Sequence, residues 1–146
     1  VRLTDVRTGN TRTFQTSNIA CNGQLSAISQ WVAGTAINLG YNAVLPPSQI
    51  EYGDGSGTPA VTDTGCFSLI SGSLTNLSYA KANTPNIGAT TLVFQTPAGE
   101  IATQITEAFL RDTSNNPWAH TMFSAAFTPS GSETITTEWQ LTYAAS

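Results

Sequence analysis

The sequence predicts an all-β protein, an antiparallel β-sandwich or jelly roll with one short helix, on three observations. Ile135, Thr137, Trp139, Leu141 and Tyr143 are mostly apolar, whereas Thr134, Thr136, Glu138, Gln140 and Thr142 between them are all polar. That period of two is a strand with one buried face. Turn clusters such as Thr113-Ser114-Asn115-Asn116-Pro117 and Thr128-Pro129-Ser130-Gly131-Ser132 punctuate the chain, at the roughly 8–12-residue spacing of a sandwich. Charged residues are only 10% of the chain, against about 25% in ordinary domains. Thr, Ser, Asn and Gln fill the deficit, and threonine favours pleated strands.

Taken in order, residues 1 to about 12 read as an extended N-terminal arm, with Thr11, Thr13 and Phe14 the most strand-like portion of its surroundings. From Asn22 the period changes: Leu25, Ile28 and Val32 recur three and four apart, with Asn22 able to cap and Gly34 to terminate a helix. Ala36 to Tyr41 and Gln49 to Tyr52 are short strands separated by Pro46-Pro47, which forbids a central strand there. A glycine-rich loop, Gly53 to Gly57, follows. Ser68 to Leu77, Thr90 to Phe94, Ala102 to Leu110, Trp118 to Phe127 and residues 134 to 143 complete the strands, with Lys81 to Gly88 a loop. The 146 residues form one domain, large enough to bury roughly 70% of the unfolded chain's surface.

Two segments carry a likeness to known proteins. Tyr52-Gly53-Asp54-Gly55-Ser56-Gly57-Thr58-Pro59-Ala60-Val61-Thr62-Asp63-Thr64 is one. Ile105-Thr106-Glu107-Ala108-Phe109-Leu110, followed by a strand with Ala119, Thr121 and Phe123 and a closing Glu138-Trp139-Gln140-Leu141-Thr142-Tyr143, is the other. In order and spacing they resemble small tailed-bacteriophage virion structural proteins, over roughly residues 48 to 143. The chain departs from that pattern at Phe109, where glycine is usual, and at Gly65-Cys66. The resemblance implies a capsid decoration or cement protein on the outside of the head, stabilising contacts between capsid subunits. Its implied partners are the major capsid protein or other virion subunits, with a homo-oligomer on the virion after assembly in the host cytoplasm. A tail, neck or fibre-adaptor subunit, or a carbohydrate-binding or adhesin module, is the alternative.

Charge narrows the partners. The net charge is −4, but Arg2, Arg7 and Arg12 against Asp5 make the first twelve residues net +2 and leave the body at −6. A body of that sign is not expected to bind nucleic acid. No run of about 18 apolar residues predicts a membrane span. The arginines suit bidentate pairing with carboxylates of a neighbouring subunit. Arg2, Arg7, Arg12 and Phe14 are therefore the expected partner contacts, together with Trp118, which stands next to a turn.

No enzyme, cofactor or metal site is expected. The run Gly53 to Thr58 lets amides approach an anion, but no Gly-Lys-Ser/Thr follows and no helix opens as nucleotide binding requires. Asp54 and Asp63 match no calcium-loop spacing. His120, the single histidine, is expected on the solvent face of its strand, and no nucleophile-elbow pattern occurs. Glu107 shares a face with Ile105, Phe109 and Arg111, which predicts an inward carboxylate in a structural ion pair. Trp139 is expected in the core, and Cys21 and Cys66 as buried free thiols.

Overall fold

The computed structural model describes residues 1–16, 19–22, 46–82 and 89–142. Within them lie nine strands: β1 (Arg2–Asp5), β2 (Thr11–Thr13), β3 (Ile19–Ala20), β4 (Gln49–Gly53), β5 (Thr75–Ala82), β6 (Ala89–Thr96), β7 (Ile105–Arg111), β8 (Pro117–Phe127) and β9 (Glu133–Thr142). All pair antiparallel, in the order β2-β1-β9-β6-β5-β4-β7-β8-β3. The expected helix from Asn22 to Gly34 and strand from Ala36 to Tyr41 lie outside the described residues, apart from Asn22 itself.

A twisted sheet this wide curls, and here it makes a half-barrel. The strands β2, β1, β9, β6 and β5 join β4, β7, β8 and β3 through only two residue pairs, Gln49 with Asn76 and Ile50 with Thr75. Register shifts in β5–β6 and β7–β8 add local bends. The curl is visible in one contact: Tyr52 Oη on β4 lies 2.7 Å from Thr137 Oγ1 on β9, although β5 and β6 stand between those strands in the sheet. Burial pushes the Tyr52 phenol up to about 12, so it stays protonated and keeps that hydrogen bond. Between the halves Leu3, Ile50, Phe94, Ile105, Leu110, Trp118 and Ile135 are buried.

β9 follows its sequence alternation from Thr137 on, with Thr137, Trp139 and Leu141 buried and Glu138, Gln140 and Thr142 exposed, whereas Ile135 and its polar neighbour Thr136 are both buried. Trp139 is in the core, as expected. The strand expected over Ser68 to Leu77 begins only at Thr75, and Lys81 and Ala82 belong to β5 rather than to a loop.

The extended arm is corrected to a hairpin built into the sheet. β1 pairs with β9 from Arg2↔Thr136 to Asp5↔Glu133 and β2 returns along β1, because Leu3 is an apolar residue that the core covers completely. Asp5 closes the turn by accepting the Arg7 and Thr8 amides, at 2.8 and 3.0 Å. Arg12 grips Glu133 through Nη2–Oε2 at 2.7 Å and Nε–Oε1 at 3.1 Å.

Acid should loosen this hairpin. The Ser132 hydroxyl and then the Arg7 and Thr8 amides hold the Asp5 carboxyl below its ordinary value, and Arg12, then the Ser130 amide, do the same for Glu133. A carboxylate depressed by folding adds stability above its unfolded value and loses it as pH falls through the folded one. Arg12→Ala should therefore lower the melting temperature at about pH 6 and make little difference at about pH 2. A deficit that is the same at both would show that the pair does not couple to folding.

Candidate functional site

Between β4 and β5 the chain runs from Asp54 to Leu74 without forming a strand. Connections longer than about 12–15 residues are uncommon in compact domains and usually functional. Ordering this one costs backbone entropy, so something must hold it.

Glu107 does much of the holding. It lies on β7 with no exposed surface. Its Oε1 accepts the amides of Gly55 and Ser68, at 3.1 and 2.9 Å. Its Oε2 takes the Phe67 amide at 2.9 Å and meets His120 Nε2 at 2.8 Å. One carboxylate thus joins both ends of the loop to the sheet. The glycines make room for it: a Cβ on Gly53 would stand 2.3 Å from Glu107 Oε1 and one on Gly55 2.6 Å from the same atom. Thr106 adds a bond from Oγ1 to the Gly55 carbonyl at 2.6 Å. Further along, the Asp54 amide donates to the Ser68 carbonyl, and Ser73 Oγ both accepts the Tyr52 amide and donates to the Tyr52 carbonyl.

His120 is the second anchor. Its Nδ1 lies 2.6 Å from Asp63 Oδ2, so the imidazole ties the middle of the loop to the same carboxylate. Three loop amides already donate to Glu107, and His120 Nε2 is the fourth contact on its two oxygens. His120 is wholly buried, with Phe67 and Phe109 ring centroids 4.8 and 5.3 Å from its own. Neither ring nitrogen is left to face a substrate.

A third anchor is Glu51, whose Oε1 accepts the Cys66 amide at 3.4 Å. Its Oε2 stands 3.1 Å from Arg111 Nη1. That is a charge contact that falls short of a hydrogen bond, and Arg111 Nε also lacks an acceptor. Burial first, then the charges of Glu107 and Glu51, push the Cys66 thiol well above its usual range. Burial, with Asp63 behind it, pushes the Cys21 thiol up to about 12.

Both cysteines are free, Cys21 buried and Cys66 half-buried. Thiol titration of unfolded, unreduced protein should recover both, while the native protein near neutral pH should react slowly because so little thiolate forms. Recovery of neither thiol after unfolding would mean a disulfide.

The loop's outer side is different. Seven large hydrophobic side chains are exposed among the described residues, and four of them, Val61, Phe67, Leu69 and Leu74, belong to this one loop. The loop thus combines a backbone held by polar bonds with apolar side chains left in solvent.

The residues that sequence reasoning selects are dispersed. Arg2 and Arg7 are exposed on the hairpin. Arg12 is engaged internally by Glu133 and by the Thr128 carbonyl. Phe14 is half-buried and stacks on Phe127 with centroids 4.3 Å apart. Trp118 is not an exposed contact but wholly buried. The turn before it is drawn tight by Asp112, which accepts the Ser114 and Asn116 amides and the Asn116 side chain, and β3 covers the start of β8.

Two further expectations are corrected. His120 lies in the interior rather than on a solvent face, because the 54–74 loop closes over that side of β8. Glu107 is inward as expected, but its partners are His120 and loop amides, while Arg111 serves Glu51; four residues along one strand separate Glu107 from Arg111 by about 13 Å, and Glu51, opposite Phe109 on β4, stands between them. Asp54 and Asp63 do not come together as ligands. Asp63 is committed to His120 and the Ala60 amide, and no metal-ligating group of three occurs among the described residues. The apolar surface of the loop escapes sequence reasoning altogether, since a Phe or Leu in a loop carries no mark of which way it faces.

No family model, curated protein or solved structure matches the chain.

Proposed function

We propose that the protein is a bacteriophage virion structural protein, a capsid decoration or cement protein that attaches to the outside of the head and stabilises contacts between subunits. The observation that carries the reading to the surface is the anchored 54–74 loop with Val61, Phe67, Leu69 and Leu74 exposed. Such a subunit gains affinity by covering apolar surface at seams between neighbours, with no cofactor involved. The reading draws further support from where the resembling segments meet. Gly55 of the glycine-rich segment bonds Glu107 of the β7 segment, and Asp63 at the end of the first reaches His120 within the strand that follows the second. In this chain the two segments therefore pack against each other.

Leu69→Ser with Leu74→Ser tests the surface. Both side chains are about half exposed, so the melting temperature should move little, while attachment to heads lacking the protein should weaken by about tenfold or more. Equal attachment of variant and parent would place the contact elsewhere. Locating the protein on a virion by electron cryomicroscopy decides between head and tail.

A further inference from the structure

All five Lys and Arg and all nine Asp and Glu residues lie among the described residues, so the rest of the chain holds no side-chain charge that could neutralise them. Three cations are engaged: Arg12 by Glu133, Lys81 by Glu138 and Arg111 by Glu51. Asp63 and Glu107 meet His120, while Asp5 and Asp112 accept turn amides. Four exposed charges are left without an ion pair: Arg2, Arg7, Asp54 and Glu100.

Two of the four stand beside exposed apolar side chains. Asp54 lies between Gly53, which bridges to Leu69, and Gly55, where an added Cβ would stand 2.7 Å from Phe67 Cβ. Phe67 and Leu69 are both exposed. Arg7 follows Val6, at 60% the most exposed large hydrophobic among the described residues. Arg2 and Glu100 have no such neighbour, since Leu3 and Ile101 beside them are buried. Both patches are held in place. The Val6 amide donates to the Ser132 carbonyl and the Asp54 amide to the Ser68 carbonyl, each at 2.9 Å. β9, β6 and β5 lie between β1 and β4 in the sheet, so four strand spacings of about 4.8 Å keep the two patches of one copy apart.

We infer that the hairpin turn of one copy docks on the 54–74 loop of a second copy, with Val6 against Phe67 and Leu69 and the Arg7 guanidinium on the Asp54 carboxylate. The chain itself carries both complementary halves, which is why the occupant is another copy. Apolar burial supplies the affinity, and the charge pair sets the orientation. Symmetric pairings are opposed by like charges: loop on loop sets Asp54 against Asp54, and turn on turn sets Arg7 against Arg7. The contact is therefore head-to-tail, the kind that builds a ring or an open row from identical copies. The inference deepens the reading above and rests on it for the loop's role as a contact. The neighbour that the loop meets is the next copy, so attachment to the head is cooperative.

Sedimentation velocity of the recombinant chain over a concentration series tests the contact. The parent should associate as concentration rises. Asp54→Arg and Arg7→Asp should each weaken association by about tenfold or more, because each sets like charges face to face. The double variant, with the charges exchanged, should recover most of the loss, and so should an equimolar mixture of the two single variants. Both positions are exposed, so melting temperatures should stay near the parent's; should a reversal misfold, Asp54→Asn and Arg7→Gln replace it, with a smaller loss expected. A parent that stays monomeric at its highest soluble concentration, single variants that associate like the parent, or a double variant no better than the singles would each overturn the inference. Heads that take up a protein failing these tests would leave the virion reading standing without it. Association through these residues in a protein absent from virions would do the reverse.

Discussion

Glu107→Ala should destabilise the fold by about 3–5 kcal/mol, as the removal of one partner from a buried charged network does. The side chain is wholly buried, and its loss leaves the amides of Gly55, Phe67 and Ser68 and the His120 ring facing a hole. Each unsatisfied buried donor costs about 1–3 kcal/mol, and water entering the hole recovers part of the sum. Glu107→Gln should rescue little. A carboxamide offers one oxygen where the site needs two, and its NH₂ would point at N–H groups that also donate. Urea denaturation with intrinsic fluorescence measures both variants, and a Glu107→Gln protein as stable as the parent would show that the loop is held by other bonds.

Trp139→Ala should cost a similar amount, about 3–5 kcal/mol, through lost burial and an unfilled cavity. The ring packs inside the half-barrel on the same face as Ile135 and Leu141. The two variants should differ in character. Trp139→Ala removes packing shared by both halves of the sheet, so it should weaken the whole fold. Glu107→Ala also frees the 54–74 loop, so its amides should exchange in a native ensemble before the strands do. A near-neutral change in the melting temperature of Trp139→Ala would contradict the placement of this side chain in the core.

Those two positions also mark what was legible in the sequence. β9 alternates because one of its faces is buried and the other exposed, and period two reports that asymmetry directly. β7 and the first half of β8 are buried on both faces, β8 continuously from Pro117 to Thr121. Alternation then says nothing about exposure, and Trp118 and His120 were free to lie inside without leaving a trace. Glu107 was readable as inward because Ile105 and Phe109 flank it in the pattern. Its partners were not, since Gly55, Phe67 and Ser68 lie 39 to 52 residues away and no local spacing encodes such meetings. The glycine-rich run illustrates a half-correct inference. Closely spaced glycines do let amides approach an anion, and the anion that Gly55 meets is the protein's own Glu107 carboxylate. The N-terminal hairpin was hidden for another reason. Three arginines in twelve residues suggest a solvated arm, and only Leu3 hints that the segment is drawn into the core.

Glu107 and His120, with Asp63 on the loop, fix the 54–74 segment to the sheet. Native-state hydrogen exchange at the amides of Gly55, Phe67 and Ser68 tests it most directly. All three donate to Glu107, so they should exchange only through large openings, with protection approaching that of β7, and Glu107→Gln should abolish the difference between them and exposed loop amides. If these amides instead exchange in the parent protein as freely as those of an unstructured loop, the loop is not held by the cluster and the account of its surface as a preorganised contact is wrong.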